Sequence, residues 1–346
     1  MYTDCKNAEN VDKISLKEEA EMYEISKSVH LNWDEKQIMC SLPLRGSERD
    51  FLSSNEDRAL KVLESQCKKY YNDDETRDSV ITAFQKLIDK GYIMFLDDIP
   101  EDLKRRFLSK EVQYYLPWRI QFKPGSASTD TRPVFDASSG TRRRKDKTGG
   151  RCLNDLVCKG PIDSLDLLKV MLRFLIGPCA MVSDLTKMYN QFKLTPDQWN
   201  LQRLLLKDGL NPASPVRQAI VTTLIYGVTS VSGQTEHSMK EIAEYVKEEK
   251  PTVSKFLKDG RYVDNLLESV LNIIAAKKLA AATSEVLDRL SLSTKGFSYS
   301  GEHPQPKETI DGISIDINGM KWTTVVDTVE VQIPLLPKWM HSFQPN

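Results

Sequence analysis

Apolar positions recur at helical spacing through much of the first hundred residues. Ala59, Leu60, Leu63, Cys67 and Tyr70 form one such stripe, and Val80, Phe84, Leu87 and Ile88 form a second that stops at Gly91. This pattern predicts a helical N-terminal segment over 1–100. From Tyr114 onward the texture changes to short apolar runs broken by turn formers. One helix stands out at Leu165–Ile176, with Ser164 placed to cap it and Gly177-Pro178 to end it. Cys179–Ser183, Asn200–Leu206 and Ala219–Tyr226 read as strands, followed by an amphipathic helix from about Ser232 to Lys247. Arg261-Tyr262-Val263 and Leu266-Leu267 flank Asp264-Asn265, which suits two strands joined by a tight turn. An Ala-rich helix, Ile273–Leu290, and a β-like section, Phe297–Ile333, follow. Strands and helices mix without regular βαβ alternation, so the expected fold class is α+β, with helices on one face of a largely antiparallel sheet.

The composition leaves this picture intact and narrows the class. A chain of 346 residues, 40% hydrophobic and 28% charged, has room for a sizeable core in roughly two domains or subdomains. Collagen, coiled coil and wholesale disorder are excluded. The six cysteines show no Cys-x-x-Cys pair, and the first residues lack the basic-then-apolar order of a signal peptide. No run approaches the ~18 consecutive apolar residues of a membrane span. The expectation is an intracellular chain, cytoplasmic or nuclear, with no membrane partner.

The net charge of −1 conceals a local imbalance, because residues 101–159 hold 14 Lys and Arg against 7 Asp and Glu. The densest part is Arg142, Arg143, Arg144, Lys145 and Lys147, beside Gly149 and Gly150. Such a stretch is a cationic loop able to meet a polyanion, or else a solvated linker.

Two carboxylates close apolar runs where a core strand would deliver them to a sheet edge: Asp184 in Ala-Met-Val-Ser-Asp-Leu and Asp264 in Tyr-Val-Asp-Asn. Hard divalent cations take oxygen ligands, so two carboxylates converging on adjacent strands suit phosphoryl chemistry. Each also has a local explanation, Asp184 as a strand-end or capping residue and Asp-Asn as a favourable turn pair.

Order along the chain adds to this. Tyr115-Leu116-Pro117-Trp118, Lys123-Pro124, Thr131-Arg132-Pro133-Val134-Phe135-Asp136-Ala137-Ser138, Leu153-Asn154-Asp155-Leu156 and Gly160-Pro161 are followed by Ser183-Asp184-Leu185-Thr186-Lys187-Met188-Tyr189-Asn190-Gln191-Phe192. Then come Leu201-Gln202-Arg203, Tyr226-Gly227-Val228-Thr229-Ser230, Tyr262-Val263-Asp264-Asn265, Lys295-Gly296-Phe297 and Gly319-Met320-Lys321-Trp322. This ordered set, from about residue 40 to the C-terminus, resembles the fingers and palm of BEL/Pao-type retrotransposon reverse transcriptases.

The resemblance implies a right-hand polymerase fold with an antiparallel palm sheet backed by helices. Residues 1–100 would be a helical segment and the start of the fingers, 101–178 the fingers with a basic loop at 141–151, 179–300 the palm, and 301–346 a truncated post-palm segment. It implies that Asp184 and Asp264 are the catalytic carboxylates that bind Mg²⁺, or Mn²⁺ in its place, for two-metal nucleotidyl transfer. Tyr189 would lie under the incoming sugar, and Lys123 and Arg132 would reach the triphosphate of a dNTP. Tyr189 also reads as a half-buried tyrosine, and Lys123 and Arg132 as a surface pair. Gln191 and Arg203 match family positions and equally suit polar residues at strand ends. The implied partners are an RNA or DNA primer–template and a dNTP.

The departures bear on activity. Asn265 stands where the family has a second aspartate, and Val231-Ser232-Gly233 stands where a Ser-Pro-aromatic group is expected. Glu268 could substitute as a ligand, but it would sit ~10 Å along the second strand of the hairpin. The expected function is an RNA-directed DNA polymerase core weakened by Asn265 and by truncation after the palm; the alternative is a catalytically inactive, retrotransposon-derived module that binds nucleic acid or protein.

The basic stretch yields a direct test. Neutralising Arg142, Arg143, Arg144 and Lys145 together should weaken binding to primer–template uniformly across sequences. The slope of log K against log[salt] should flatten by up to ~0.9 for each phosphate that is no longer neutralised, as read by fluorescence anisotropy at several salt concentrations.

Overall fold

A computed structural model of the chain describes residues 16–46, 54–108, 112–122, 131–140, 151–160, 166–305, 309, 313–317 and 320–331. They form a mixed α+β structure with several small, mainly antiparallel sheets. Among the described residues no helix is long and apolar enough to cross a membrane. Cys40, Cys67, Cys152, Cys158 and Cys179 are buried free thiols.

The two helical stripes are where the periodicity puts them. Helix Glu56–Tyr70 buries Ala59, Leu63, Cys67 and Tyr70, and helix Asp74–Ile88 buries Val80, Ala83 and Phe84. Asp73 caps the second by accepting the Thr76 amide at 3.2 Å. The first hundred residues are less uniformly helical than expected. Helix Leu16–Lys27 leads into an antiparallel hairpin, Val29–Asn32 with Gln37–Cys40, whose second strand also pairs in parallel with Phe192–Leu194. Four-residue strands carry too little alternation to register as a pattern. Ile38 and Cys40 become core residues only because a segment far along the chain covers them.

The four-stranded sheet that carries the candidate chemistry runs Arg261–Tyr262, Asn265–Val270, Cys179–Asp184, Ser298–Tyr299, antiparallel throughout. Its two faces meet different cores. Ala180, Val182 and Leu267 pack with Val170, Met171 and Phe174 of helix Leu167–Ile176 and with Ile315, Ile317 and Trp322 of the last sheet. Cys179, Met181 and Leu266 face the larger core, with Phe256 of helix Pro251–Asp259 and Ala276 and Ala280 of helix Ile273–Asp288. Helices therefore cover both faces rather than one. This explains why Cys179–Val182 is apolar without alternation, since a strand covered on both sides needs no polar face.

Several boundaries shift for local reasons. The helix before this sheet starts at Leu167, where Asp166 rather than Ser164 caps it by accepting the Leu168 amide at 2.9 Å. The strand expected at Asn200 begins at Arg203, because Pro196 opens a 3₁₀ turn through Gln202, pinned by the Trp199 indole donating to the Leu194 carbonyl at 2.9 Å. The next strand is Val216–Val221, pairing with Arg203–Lys207 and Ile93–Phe95; beyond it the Thr222 amide turns to the Tyr92 carbonyl.

Asn154 joins three of the sequence motifs. Its side-chain amide donates to Ser138 Oγ at 2.8 Å and to the Gly227 carbonyl at 2.7 Å, and its oxygen accepts the Thr229 amide at 3.0 Å. Its backbone amide donates to the Ala137 carbonyl. The clamp brings the Tyr226-Gly227 loop so close to strand Thr131–Phe135 that a Cβ on Gly227 would lie 2.2 Å from the Phe135 carbonyl oxygen, at a φ of +107°.

Two glycines separate strain from overlap. Gly91→Ala, at φ +69° with open space around it, should cost about 1 kcal/mol in urea unfolding, the penalty of the left-handed backbone alone. Gly227→Ala should cost at least ~2 kcal/mol, because the methyl group also displaces backbone that Asn154 holds.

Candidate active site

The hairpin that presents Asp264 is shifted in register against the sequence expectation. Tyr262 pairs with Asn265, so the two-residue loop is Val263-Asp264, one position earlier than the Asp264-Asn265 turn expected. Val263 takes φ +54°, a conformation a β-branched residue adopts only when its surroundings impose it, at a cost of order 1–3 kcal/mol. Arg261 supplies that constraint. Its guanidinium donates to the Val263 carbonyl at 2.9 Å and forms an ion pair with Glu236 of helix Val231–Tyr245. Arg261 is 2% exposed, and its Nε has no hydrogen-bond partner, so the pair is a buried one held by geometry.

Shifting the turn by one residue puts Asn265 inside the strand, directly opposite Asp184. The Leu185 amide donates to the Asp264 carbonyl at 2.8 Å, tying the residue after one carboxylate to the other. Asp184 and Asp264, 80 positions apart, are thereby held at the same end of neighbouring strands. Burial, and then the charge of Asp184, push the Asp264 carboxyl above the ordinary aspartate range, while Lys295 and Arg261 act in the opposite direction. Asp184 forms an ion pair with the Lys295 ammonium.

Two tyrosines border the carboxylates. The Tyr189 and Tyr226 rings meet edge to face at 4.3 Å, and the Tyr189 hydroxyl lies 3.4 Å from Ser232 Oγ. Burial raises the Tyr189 hydroxyl, and local desolvation that of Tyr226, a residue otherwise exposed, above the usual tyrosine value. Asp264 adds to the effect on each and Asp184 to that on Tyr226, which Arg132 opposes. Arg132, on strand Thr131–Phe135, is thus within electrostatic reach of Tyr226.

The remaining candidates divide cleanly. Gln191 accepts the Ser293 amide at 2.8 Å and donates to the Thr186 carbonyl, strapping the loop after Asp184. Arg203 is buried, bonded to Asn200 and Gln218. Both residues hold the fold together at these points. Glu268 pairs with Arg173 at 2.8 Å, so it does not stand in for the missing aspartate. Lys123, Arg142, Arg143, Arg144, Lys145 and Lys147 lie outside the described residues. Sequence reasoning did not select Lys295, Arg261 or Glu236 for the site; Lys295 stood only as the first residue of the Lys295-Gly296-Phe297 motif, Arg261 only at the head of the Tyr262-Val263-Asp264-Asn265 run, and Glu236 carries no local signal.

Among the described residues there is no cluster of three or more His, Cys, Asp or Glu able to hold a metal. By donor chemistry the pair suits a hard cation, because two carboxylates near enough for one to raise the other's proton affinity offer oxygen ligands, with Lys295 already paired to one of them. Asn265 adds a neutral amide where a third carboxylate would strengthen it.

The raised Asp264 carboxyl fixes the sign of a pH effect. A carboxyl whose folded-state pKa exceeds its unfolded value binds protons more readily in the fold, so its contribution becomes unfavourable as pH rises from the unfolded value through the folded one. Without divalent cations, Asp264→Asn should therefore raise the thermal midpoint at pH 7. The gain should shrink to nothing below about pH 3.9, where the unfolded aspartate is also protonated. Differential scanning fluorimetry across pH checks it. The chain matches no protein-family model and no curated protein.

Proposed function

We propose that the chain is the fingers-and-palm core of a retrotransposon-derived reverse transcriptase of BEL/Pao type, with nucleotidyl transfer weakened by Asn265. The observation that carries this reading is the pairing of Asn265 with Asp184, which puts two carboxylates from distant motifs at one end of an antiparallel sheet. The Asn154 clamp supports it, since Ala137-Ser138, Leu153-Asn154 and Gly227-Thr229 are separate motifs along the chain and neighbours in space.

Asp184 and Asp264 would hold the divalent cation, which when bound polarises phosphoryl oxygens and acidifies the primer hydroxyl. Tyr189, buried beneath Tyr226, offers a ring edge for the incoming deoxyribose. Arg132 meets the triphosphate with its guanidinium fork, and the resemblance assigns Lys123 to the same task as a point charge. The 101–159 surplus holds the duplex by its phosphates. The polymerase reading asks the protein to bind template, nucleotide and cation together, and each has a group of the appropriate charge assigned to it.

A second reading, a binding module that has left catalysis behind, is favoured by two observations. Asn265 removes a carboxylate, and Lys295 already neutralises Asp184.

Primer extension separates the two. The unaltered chain should give little or no product with Mg²⁺ and a trace at most with Mn²⁺, whose affinity for such sites is generally higher. Asn265→Asp should raise the rate by about 10²–10³-fold, the equivalent of a few kcal/mol of transition-state stabilisation, and Asp184→Asn should abolish it. No gain from Asn265→Asp, with duplex binding intact, would favour the module.

A further inference from the structure

The ion pair at Asp184 is built into the backbone. Leu185 and Thr294 form an antiparallel bridge, the Thr186 amide donates to the Ser293 carbonyl at 2.8 Å, and the Lys295 amide donates to the Asp184 carbonyl at 2.9 Å. Residues 293–295 thus run alongside 184–186 as a short added strand. Gln191 fastens the same segment from its other side, accepting both the amide and the hydroxyl of Ser293. Lys295 is delivered to Asp184 by main-chain geometry, and its ammonium donates to Asp184 Oδ2. Both side chains are 26% exposed, so water weakens the contact without dissolving it.

The same ammonium acts on the second carboxylate, since its charge opposes the rise in Asp264's proton affinity. Asp184, Asp264 and Lys295, with the Arg261–Glu236 pair behind the turn, therefore make up the charge at this end of the sheet. Asn265 contributes none. An ammonium has three donors and no acceptor, so it can satisfy a carboxylate oxygen but cannot ligate a cation. A divalent ion placed on the same oxygen would meet it as a like charge.

We propose that Lys295 is an internal counter-cation that holds the Asp184 and Asp264 pair in the metal-free protein, and that a divalent cation binds there by displacing its ammonium from Asp184. The proposal rests on reading that pair as a cation site. It assigns the weakness of the site to two causes in place of one, a ligand missing at Asn265 and a resident competitor at Lys295. Removing the competitor should tighten divalent binding even though no ligand is added.

Mn²⁺ titration followed by electron paramagnetic resonance tests this on the full chain, comparing the unaltered protein with Lys295→Met, Lys295→Arg and Asp184→Asn. Lys295→Met should bind Mn²⁺ about tenfold more tightly, while Lys295→Arg, which keeps the charge, should bind no more tightly than the original. In the unaltered protein, after reductive ¹³C-methylation, which preserves lysine charge, the Lys295 resonance should move on saturation with Mg²⁺. Unchanged or weaker binding by Lys295→Met, with binding lost in Asp184→Asn, overturns the competition while leaving the cation site standing. Absence of Mn²⁺ binding at millimolar concentration in the unaltered protein and Lys295→Met alike overturns both. Should Lys295→Met fail to fold, a methyl-lysine resonance that stays fixed while Mg²⁺ binds is sufficient to overturn the proposal.

Discussion

Six residue pairs, from Asn265 opposite Asp184 to Val270 opposite Cys179, couple two strands with 80 residues between them, and the geometry of the candidate site follows from their register. A slip of one residue would exchange the faces of Leu266 and Leu267. Those faces are not equivalent: Leu266 belongs to the large core, and Leu267 to the smaller one built around Phe174 and Trp322. Packing on both sides therefore fixes the register more firmly than one buried face could. With the register fixed, the loop Val263-Asp264 has one place to go.

The charge distribution shows what that placement costs. Asp184 and Asp264 are held near enough to repel, Val263 is held in a left-handed conformation, and the Arg261 Nε is buried without a partner. These unfavourable features fall at one end of one sheet. They are offset by the Arg261–Glu236 pair, by Lys295 and by the cores on either side. Concentrated strain beside a carboxyl of raised proton affinity is found at sites shaped by chemistry and in structural ion-pair networks alike. Lys295 adds a feature of its own, because its ion pair with Asp184 offsets the repulsion between the two carboxylates.

Away from the carboxylates, one side chain does much of the joining. Asn154 saturates its amide on Ser138, Gly227 and Thr229, and Asn55 does the same on Tyr115 and Ser139. Both asparagines stand at the start of a helix and direct their polar groups to loops rather than to water. Loops held by side-chain amides keep a fixed shape, and the Tyr226-Gly227 loop, whose tyrosine packs on Tyr189, is one of them.

The linear pattern by itself determined the elements whose stabilisation is local. Helical stripes such as Ala59, Leu63, Cys67 and Tyr70 repeat over several turns, and the run Cys179–Val182 is too apolar to lie anywhere but in a core. Asp184 and Asp264 were legible as candidates because each ends such a run. Only the tertiary structure decided the rest. The hairpin Val29–Asn32 with Gln37–Cys40 depends on Phe192–Leu194 to cover it, the turn moved to Val263-Asp264 because Arg261 and Glu236 enforce it, and helices closed over both faces of the sheet. Lys295, 111 positions from Asp184, reached it through backbone pairing that leaves no trace in residue type. Periodicity reports which side of an element meets the core; it carries no information about which distant segment forms the other wall, and charge pairing across that wall is where this site acquires its character.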